Sequence, residues 1–536
     1  MDRGGADRGG ADRGEADLAG LGEAERGEAD RGPADLAGRL AAVPAIDPGR
    51  PAWQFRGRWR PWSYLTASTA ALDGELGRLG QGPGARVGVL MRNRPEIAAC
   101  AVALLTTRRC LVTLSSAIPV AVLADELREL RLPVVVVSEL DAGSEPIAEA
   151  CRAVGSALLV VTDRVGTAGV SVSELVALDP AADHAAPAAE VAVRMLTSGT
   201  TGRPKRVDLL YRSLEREAES TRRYSRAGRN GSGLRLSGAV EIQWIPLLHV
   251  AGVRALIAAV LDGRMIALME RFDVDEWVSL VREHRPRTAL LVPSTVRMLC
   301  DADVPAEVFD GISAVFCGTA PLDPSTRAEF TGRYGVPLLE VYGATEYAGG
   351  VAGWTLRDWE RHGADKPGSA GRANAGVQLR IVDPVSGAVL EPDEPGVLEV
   401  KAPQLDTDGW LRTTDRARID DDGFLYILGR VDDVIIRGGL KVHAEDVITA
   451  LRAHPAVRDA AVVGVPDRRL GAVPMAAVEL EDGHTTDEDS LVGHLRERLS
   501  AYQIPVRIEV LDRLPRTPSM KVSRPGVLAA LGLRHP

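Results

Sequence analysis

Short apolar segments that alternate with amphipathic helical ones, and that repeatedly run into a glycine or polar corner, constrain this chain more than any other feature. ARVGVLM, LPVVVVSEL and SALLVVTD read as buried strands, and SYLTASTAALDGELGRLG and PEIAACAVALLTTRRC as helices among them. Strands that are apolar on both faces, with helices as connections, require a parallel sheet covered by helices. A second series follows in GRMIALME, RTALLVPS, ISAVFCGTAPL and PLLEVYGATEY, each an apolar run that ends in a polar or glycine corner. After Gly368 the strands shorten and turns multiply, as in VQLRIVDPVSGAVL and GVLEVKAP, which predicts a β-rich subdomain. The C-terminal stretch predicts a small unit of its own, with AAVVGVPD and MAAVEL as strands and TTDEDSLVGHLRERLSAY as a helix. The expected fold class is α/β.

At 536 residues the chain exceeds what one hydrophobic core serves, so several structural units are expected. The N-terminal stretch repeats an Ala-Asp-Arg-Gly theme with almost no large apolar residue before Leu18 and Leu21; it buries too little to offset its ordering entropy, and residues 1–44 are expected to form a disordered tail. A net charge of -10, from 64 Lys and Arg against 74 Asp and Glu, argues against a nucleic-acid surface. The sequence has no apolar run long enough to span a membrane. Cys100, Cys110, Cys151, Cys300 and Cys317 are odd in number and lack metal-site spacing, which fits a reducing cytoplasm.

The stretch MLTSGTTGRPKRV, Met195 to Val207, follows an apolar strand with a loop of hydroxyls and glycines. Gly199 and Gly202 permit positive φ, and Thr197, Ser198, Thr200 and Thr201 offer hydroxyl and backbone donors, so the segment suits a concave nest for phosphate oxygens. Lys205 supplies the charge. The common P-loop needs Gly-Lys-Ser/Thr in succession, and here Pro204 precedes the lysine, so the anion cradle belongs to another family. Only five lysines (Lys205, Lys366, Lys401, Lys441, Lys521) occur in a chain that otherwise uses Arg. A lysine kept against that bias points to a site that needs a compact ammonium.

Four motifs in order, TSGTTGRPK, VYGATE, GWLRTTD…GFLYILGRVDD and PRTPSMK, resemble the signature of the adenylate-forming superfamily: acyl- and aryl-CoA ligases, peptide-synthetase adenylation domains and luciferase. The resemblance covers roughly residues 51–536. It implies an N-terminal domain over 45–430, of helix-covered sheets plus the β-rich subdomain, hinged at Asp432 to a small mobile α+β C-terminal domain over 431–536. It implies MgATP at the loop, with Ser198, Thr200, Thr201 and Lys205 around the phosphates. Tyr342, followed by Gly343, would stack on adenine, with Cys317, Gly318, Thr319, Ala320 and Pro321 as the other wall. Thr345 would touch the α-phosphate, Glu346 would hold Mg²⁺, Asp415 would accept the ribose hydroxyls and Arg430 would assist there. Lys521 would be inserted between the carboxylate and the α-phosphate, where two anions must meet.

The acyl-adenylate would then pass to a thiol, with CoA as the expected co-substrate and Gly438 and Gly439 leaving room for the pantetheine arm, flanked by Arg437 and Lys441. A carrier protein or an amine remains an alternative acceptor, the use of ATP and nitrite to diazotise an aryl amine is an alternative reaction, and a non-catalytic nucleotide-binding relative is the alternative to an enzyme. The stretch WIPLLHVAGVRAL has no acidic residue to pair an α-ammonium, which disfavours a free amino acid. His249, Val250 and Val253 are expected to wall the acid pocket, with Tyr347, Ala348 and Gly349 beside them and the small residues leaving room for an aryl or medium-sized aliphatic acid. Arg206 after Lys205, Thr414 before Asp415 and Met520 before Lys521 depart from the family pattern of glycine at each position.

Overall fold

The computed structural model describes residues 35–164, 168–196, 205–224, 234–407, 409–431, 433–438, 440–517 and 520–533, with side chains of the segment from 205 described through 220. Residues Leu36–Pro536 form one compact unit. The strands read from the first apolar series pair into a seven-stranded sheet in the order Ser171–Val176, Ala157–Thr162, Val134–Ser138, Arg86–Met91, Cys110–Ser115, Val191–Leu196 and Arg206–Leu210. Its interior is parallel, and each edge is closed by an antiparallel strand. The helix Pro95–Thr106 is buried along almost its whole length, because Ala and Cys at the positions facing the sheet permit close approach while Ile97, Leu104 and Leu105 fill the remaining space. Proline at its first turn has no amide proton to leave unsatisfied.

The second series forms a five-stranded sheet, Thr288–Leu291, Ala314–Gly318, Leu338–Ala344, Gly349–Gly353 and Arg372–Ala373. The first three strands are parallel and the last two antiparallel. A smaller four-stranded sheet joins Val240–Gln243 and Met265–Leu268 to the early hairpin Pro51–Phe55 and Arg58–Pro61. The β-rich subdomain is an antiparallel four-stranded sheet over Gln378–Val382, Gly396–Lys401, Leu411–Ile419 and Leu425–Arg430. The C-terminal sheet is built on the long pair Val457–Asp467 and Gly471–Leu480, with Val434–Arg437, Leu440–His443 and Ile508–Leu511 alongside. Its core, with Val447, Leu451, Val478, Leu491 and Leu495, is separate from the N-terminal ones. All five cysteines are free and buried. Among the described residues no helix is long and apolar enough to cross a membrane.

The expected tail boundary at residue 44 needs correction. Leu36–Ala42 is a helix whose Leu36 and Leu40 are buried in the largest core cluster with Trp53, Leu65 and Ile97, and Val43 and Pro44 continue it as a buried turn. A helix of about two turns carries too weak a periodicity to be read, yet two leucines at i and i+4 suffice once a core exists to receive them.

Candidate active site

The polar corners at the ends of the five-stranded sheet's parallel strands gather most of the candidate residues, as open α/β sheets arrange at their carboxyl ends. Gly318 ends the strand Ala314–Gly318 opposite Val341, so Cys317 and Gly318 lie alongside Glu340 and Val341 on the next strand, directly before Tyr342. A Cβ on Gly318 would come within 2.8 Å of the Val341 carbonyl. Thr319 follows in the left-handed region at φ +73, and its hydroxyl is buried with no partner among the described residues. Ala320 is half-buried and Pro321 exposed.

Tyr342 donates a hydrogen bond to Asp415 and lies 3.4 Å from the hydroxyl of Tyr347. Gly343 is required for steric reasons, since a Cβ there would sit 2.2 Å from the carbonyl of Gly349 on the returning strand. Thr345–Tyr347 then form one tight turn, closed by Ala348 at φ +54. This turn leaves Glu346 exposed and sends Tyr347 inward, where its ring joins Tyr342 and Val351 and its hydroxyl meets Thr413. Tyr347 therefore packs towards the Tyr342 and Asp415 side, whereas Ala348 packs with Val253 and Leu256. Asp415 is paired with Arg430 across the subdomain sheet, and its amide is held by the Thr413 hydroxyl at 3.0 Å.

Lys521 reaches this group from the C-terminal end of the chain. It follows a tight turn in which the Thr517 amide donates to the Lys521 carbonyl at 2.7 Å and the Lys521 amide donates to the Thr517 hydroxyl at 3.2 Å. Burial pulls its ammonium below the ordinary lysine range, the Glu346 carboxylate opposes that fall, and Arg430 adds to it. The same ammonium acts with burial to hold His249 at about 4, so the imidazole is neutral near pH 7. Its Nε2 is buried without a partner among the described residues. His249 is the residue before the helix Val250–Leu261, so Val250 opens the helix half-buried and Val253 points one turn on into the core. The structure thus brings Glu346, Arg430 and His249, from three separate segments, each within electrostatic reach of Lys521.

Lys205 is exposed at the start of the edge strand Arg206–Leu210, and Arg206, where the family pattern has glycine, donates to the Thr113 carbonyl and pairs with Glu126. Thr197, Ser198, Gly199, Thr200, Thr201 and Gly202 lie outside the described residues, as do Asp432 and Gly439. Gly438 holds a hairpin turn at φ +59 against Leu470. Lys441 is exposed, but Arg437 is engaged otherwise than expected: it donates to the carbonyls of Tyr502 and Ile504, both at 2.9 Å, within its own domain. The room expected beside Gly349 is also taken. The guanidinium of Arg254 fills it, and a Cβ on Gly349 would fall 2.6 Å from the Arg254 Nε. The signal for Arg254 was present in the sequence as one charge in the otherwise apolar helix VAGVRALIAAVL.

The model for "AMP-binding enzyme" matches residues 40–406, and that for "AMP-binding enzyme C-terminal domain" matches 448–521. A peroxisomal OPC-8:0-CoA ligase of Arabidopsis thaliana is 30% identical over 62% of this chain and 63% of its own length. A 2-succinylbenzoate–CoA ligase of Geobacillus kaustophilus is 32% identical over 67% of this chain and 73% of its own. The structure of o-succinylbenzoate CoA synthetase from Bacillus subtilis, in complex with its acyl-adenylate intermediate, superimposes with a TM-score of 0.71 at 25% identity, covering 90% of this chain and 96% of that one. ATP-bound MatB from Rhodopseudomonas palustris shares the fold, with a TM-score of 0.77 at 23% identity over 93% of this chain and 99% of that one.

Proposed function

The chain belongs to the AMP-binding enzyme family, and we propose that it activates a carboxylic acid with MgATP as an acyl-adenylate and transfers the acyl group to the thiol of CoA. The acid, on this reading, is aryl or medium-sized aliphatic. One observation carries it: the C-terminal lysine, Lys521, stands close enough to Glu346 and Arg430 for their charges to act on its ammonium, and close enough to His249 for that ammonium to act on the imidazole. Relatives named as CoA ligases, and a relative solved with its acyl-adenylate, support the same chemistry.

The residues present fit the nucleotide. The Thr319 hydroxyl, without a partner among the described residues and held at positive φ beside the Tyr342 strand, offers a buried polar contact at the expected adenine wall. Asp415 and Arg430, side by side on neighbouring strands, suit ribose hydroxyls and a phosphate. Glu346 is an exposed carboxylate of the kind that holds Mg²⁺, an ion that supplies charge neutralisation at the phosphates.

In the first half-reaction a carboxylate oxygen of the acid attacks the α-phosphorus and pyrophosphate leaves. Two anions approach, so the residues' task is positioning and neutralisation. Lys521 supplies a compact ammonium at that meeting point, with Thr345 beside Glu346 as the α-phosphate contact. His249, neutral near pH 7, cannot compete for the carboxylate as a cation and instead walls the acid side. In the second half-reaction the CoA sulfur attacks the acyl carbon and AMP leaves. The segment from 431 onward would rotate about Asp432 between the two steps, with Gly438 and Gly439 admitting the pantetheine arm.

The test offers the purified protein MgATP and a broad panel of acids, reading pyrophosphate exchange, then CoA, a phosphopantetheinylated carrier protein, an amine and nitrite side by side by mass spectrometry. Exchange with a carboxylic acid and an acyl-CoA product are expected. Nucleotide binding without exchange for any acid overturns the reading, and product with another acceptor but none with CoA reassigns the second step.

A further inference from the structure

Gly349 lies three residues after Glu346, where the acid-activating reading places the acyl group, and the volume its missing side chain leaves is occupied from inside the protein. A Cβ there would meet Arg254 at Nε (2.6 Å), Cζ (2.9 Å) and Cδ (3.0 Å), so the guanidinium end of Arg254 takes the space beside Gly349 at the start of the strand Gly349–Gly353. Arg254 projects from the helix Val250–Leu261, one turn beyond His249, and is its sole charged residue. The apolar neighbours Val253, Leu256, Tyr211, Leu214, Ala218 and Ala348 form one cluster around that helix.

The guanidinium is compensated and yet incompletely used. One terminal nitrogen pairs with Glu217, a buried residue of the helix Tyr211–Tyr224. The Nε hydrogen is buried with no partner among the described residues, as is Nε2 of His249. Burial lowers Arg254 to about 10, which leaves it cationic near pH 7. Glu217 pairs with that charge, which leaves the guanidinium less suited to a second full carboxylate on the substrate. An unmet buried N–H, however, favours a neutral oxygen acceptor, and a site built around a hydrogen bond discriminates strongly against analogues that lack the partner. A long alkyl tail would run into the guanidinium and its ion pair.

We infer that Arg254, held by Glu217, closes the far end of the acyl pocket and selects a compact, benzoate-sized acid that carries a neutral hydrogen-bond acceptor, such as a hydroxyl, at the end away from the reacting carboxylate. The inference rests on the acid-activating reading above. It makes Arg254 a specificity-determining residue, with Glu217 as the residue that positions it.

The full chain is assayed for pyrophosphate exchange with benzoate, its 3- and 4-hydroxy derivatives, hexanoate and decanoate. The wild type is expected to favour one hydroxybenzoate over benzoate by about 10-fold or more in kcat/KM, on the scale of one lost hydrogen bond to a charged group, and to use decanoate least. The paired substitution Arg254→Met with Glu217→Gln removes the N–H and the charge while keeping volume. It should bring the hydroxybenzoate-to-benzoate ratio to within about 3-fold, since only the acceptor's partner has gone. Arg254→Ala with Glu217→Ala should raise the decanoate-to-hexanoate ratio by about 10-fold as the end opens, a step comparable to gaining a few methylenes of burial. Ratios within one variant cancel a general loss of activity, and a circular-dichroism melt confirms folding. Unchanged ratios in a folded variant overturn the inference. If neither variant folds, the wild-type profile decides: preference for decanoate, or for benzoate over both hydroxybenzoates, overturns it while leaving acid activation standing. Exchange with no acid of a broad panel overturns acid activation itself.

Discussion

The hydroxyl of Tyr342 donates a hydrogen bond to the carboxylate of Asp415, 73 positions later, and so ties the strand Leu338–Ala344 to the strand Leu411–Ile419 of a different sheet. Burial and the Asp415 charge both push the Tyr342 phenol far above its ordinary range, so it stays a donor. Tyr342→Phe keeps the ring that would stack on adenine but breaks the tie between the sheets. It should cost about 1–3 kcal/mol of stability, the range for a hydrogen bond to a charged group, while ATP KM changes by less than about 5-fold because stacking survives. Tyr342→Ala should raise ATP KM by a further 10-fold or so through loss of that ring. Equal KM values for the two variants, by pyrophosphate exchange at varied ATP, would remove Tyr342 from the nucleotide wall.

Lys521→Ala should cut adenylation by several orders of magnitude, since that step alone brings two anions together, and leave thioester formation from supplied acyl-AMP nearly intact. Lys521→Arg should restore little, because a planar guanidinium cannot replace a compact ammonium. Rapid-quench measurement of each half-reaction decides, and equal losses in both would refute the assignment.

Lys521 titrates below the ordinary lysine value because burial and Arg430 both disfavour its charge. On the proposed reaction the protonated form is the active one, so the alkaline limb of adenylation kcat/KM, which reports the free enzyme, should fall at a lower pH than a free lysine would give. Arg430→Gln removes one depressing influence and should move that limb upward. A limb that stays still or moves down would place Arg430 out of reach of the ammonium.

Met520 holds φ at +64 directly before Lys521, and its side chain packs on the apolar cluster containing Trp244, Leu291 and Leu322 in the N-terminal part of the chain. The positive φ costs a non-glycine residue about 1 kcal/mol, and the packing offsets it. Met520→Gly relaxes the backbone but removes the anchor that seats the lysine. Adenylation should drop about 3- to 10-fold, the equivalent of one partly buried apolar contact, with transfer from supplied acyl-AMP unchanged or faster. Single-turnover assays of both steps check this; a loss confined to transfer would refute it.

Burial raises Glu340 to about 7 although Arg327 lies 3.5 Å away and opposes the shift. The folded state therefore holds this proton more tightly than the unfolded one. Glu340 contributes most stability below the ordinary glutamate value of about 4.3, loses it as pH rises towards about 7, and contributes no further change above that. Relative to Glu340→Gln, the wild type should lose about 1–3 kcal/mol between about pH 5 and pH 8, from the shift of a group in a coupled pair. Parallel urea titrations of the two proteins across that range would measure it, and a flat difference would contradict the raised value.

Much of the fold was legible because it rests on local periodicity. ARVGVLM, LPVVVVSEL and SALLVVTD are strands of one sheet, and SYLTASTAALDGELGRLG and PEIAACAVALLTTRRC supply helices that cover it. Leu36 and Leu40 escaped because two leucines in a seven-residue helix acquire meaning only against the Trp53 and Leu65 core that receives them. The motif order singled out Tyr342, Glu346, Asp415 and Lys521, of which the structure joins Tyr342 to Asp415 and brings Glu346 near Lys521, and it signalled the glycines that tight corners require. Gly343 is one, set by the approach of the Gly349 carbonyl.

What the sequence could not determine is which side chain takes the space a glycine leaves. Gly349 reads as room for substrate until Arg254, from a helix far earlier in the chain, lies across it with Glu217 behind. Tyr347 reads as a pocket wall until the turn at Ala348 directs it to Tyr342. Arg437 reads as an open cation until the backbone of Tyr502 and Ile504 claims it. Periodicity, turn chemistry and motif spacing are properties of neighbouring residues, so the sequence by itself determined the strands, the corners and the identity of the charged groups. The occupancy of a gap and the direction of a side chain depend on packing between distant segments, and only the tertiary structure decided those.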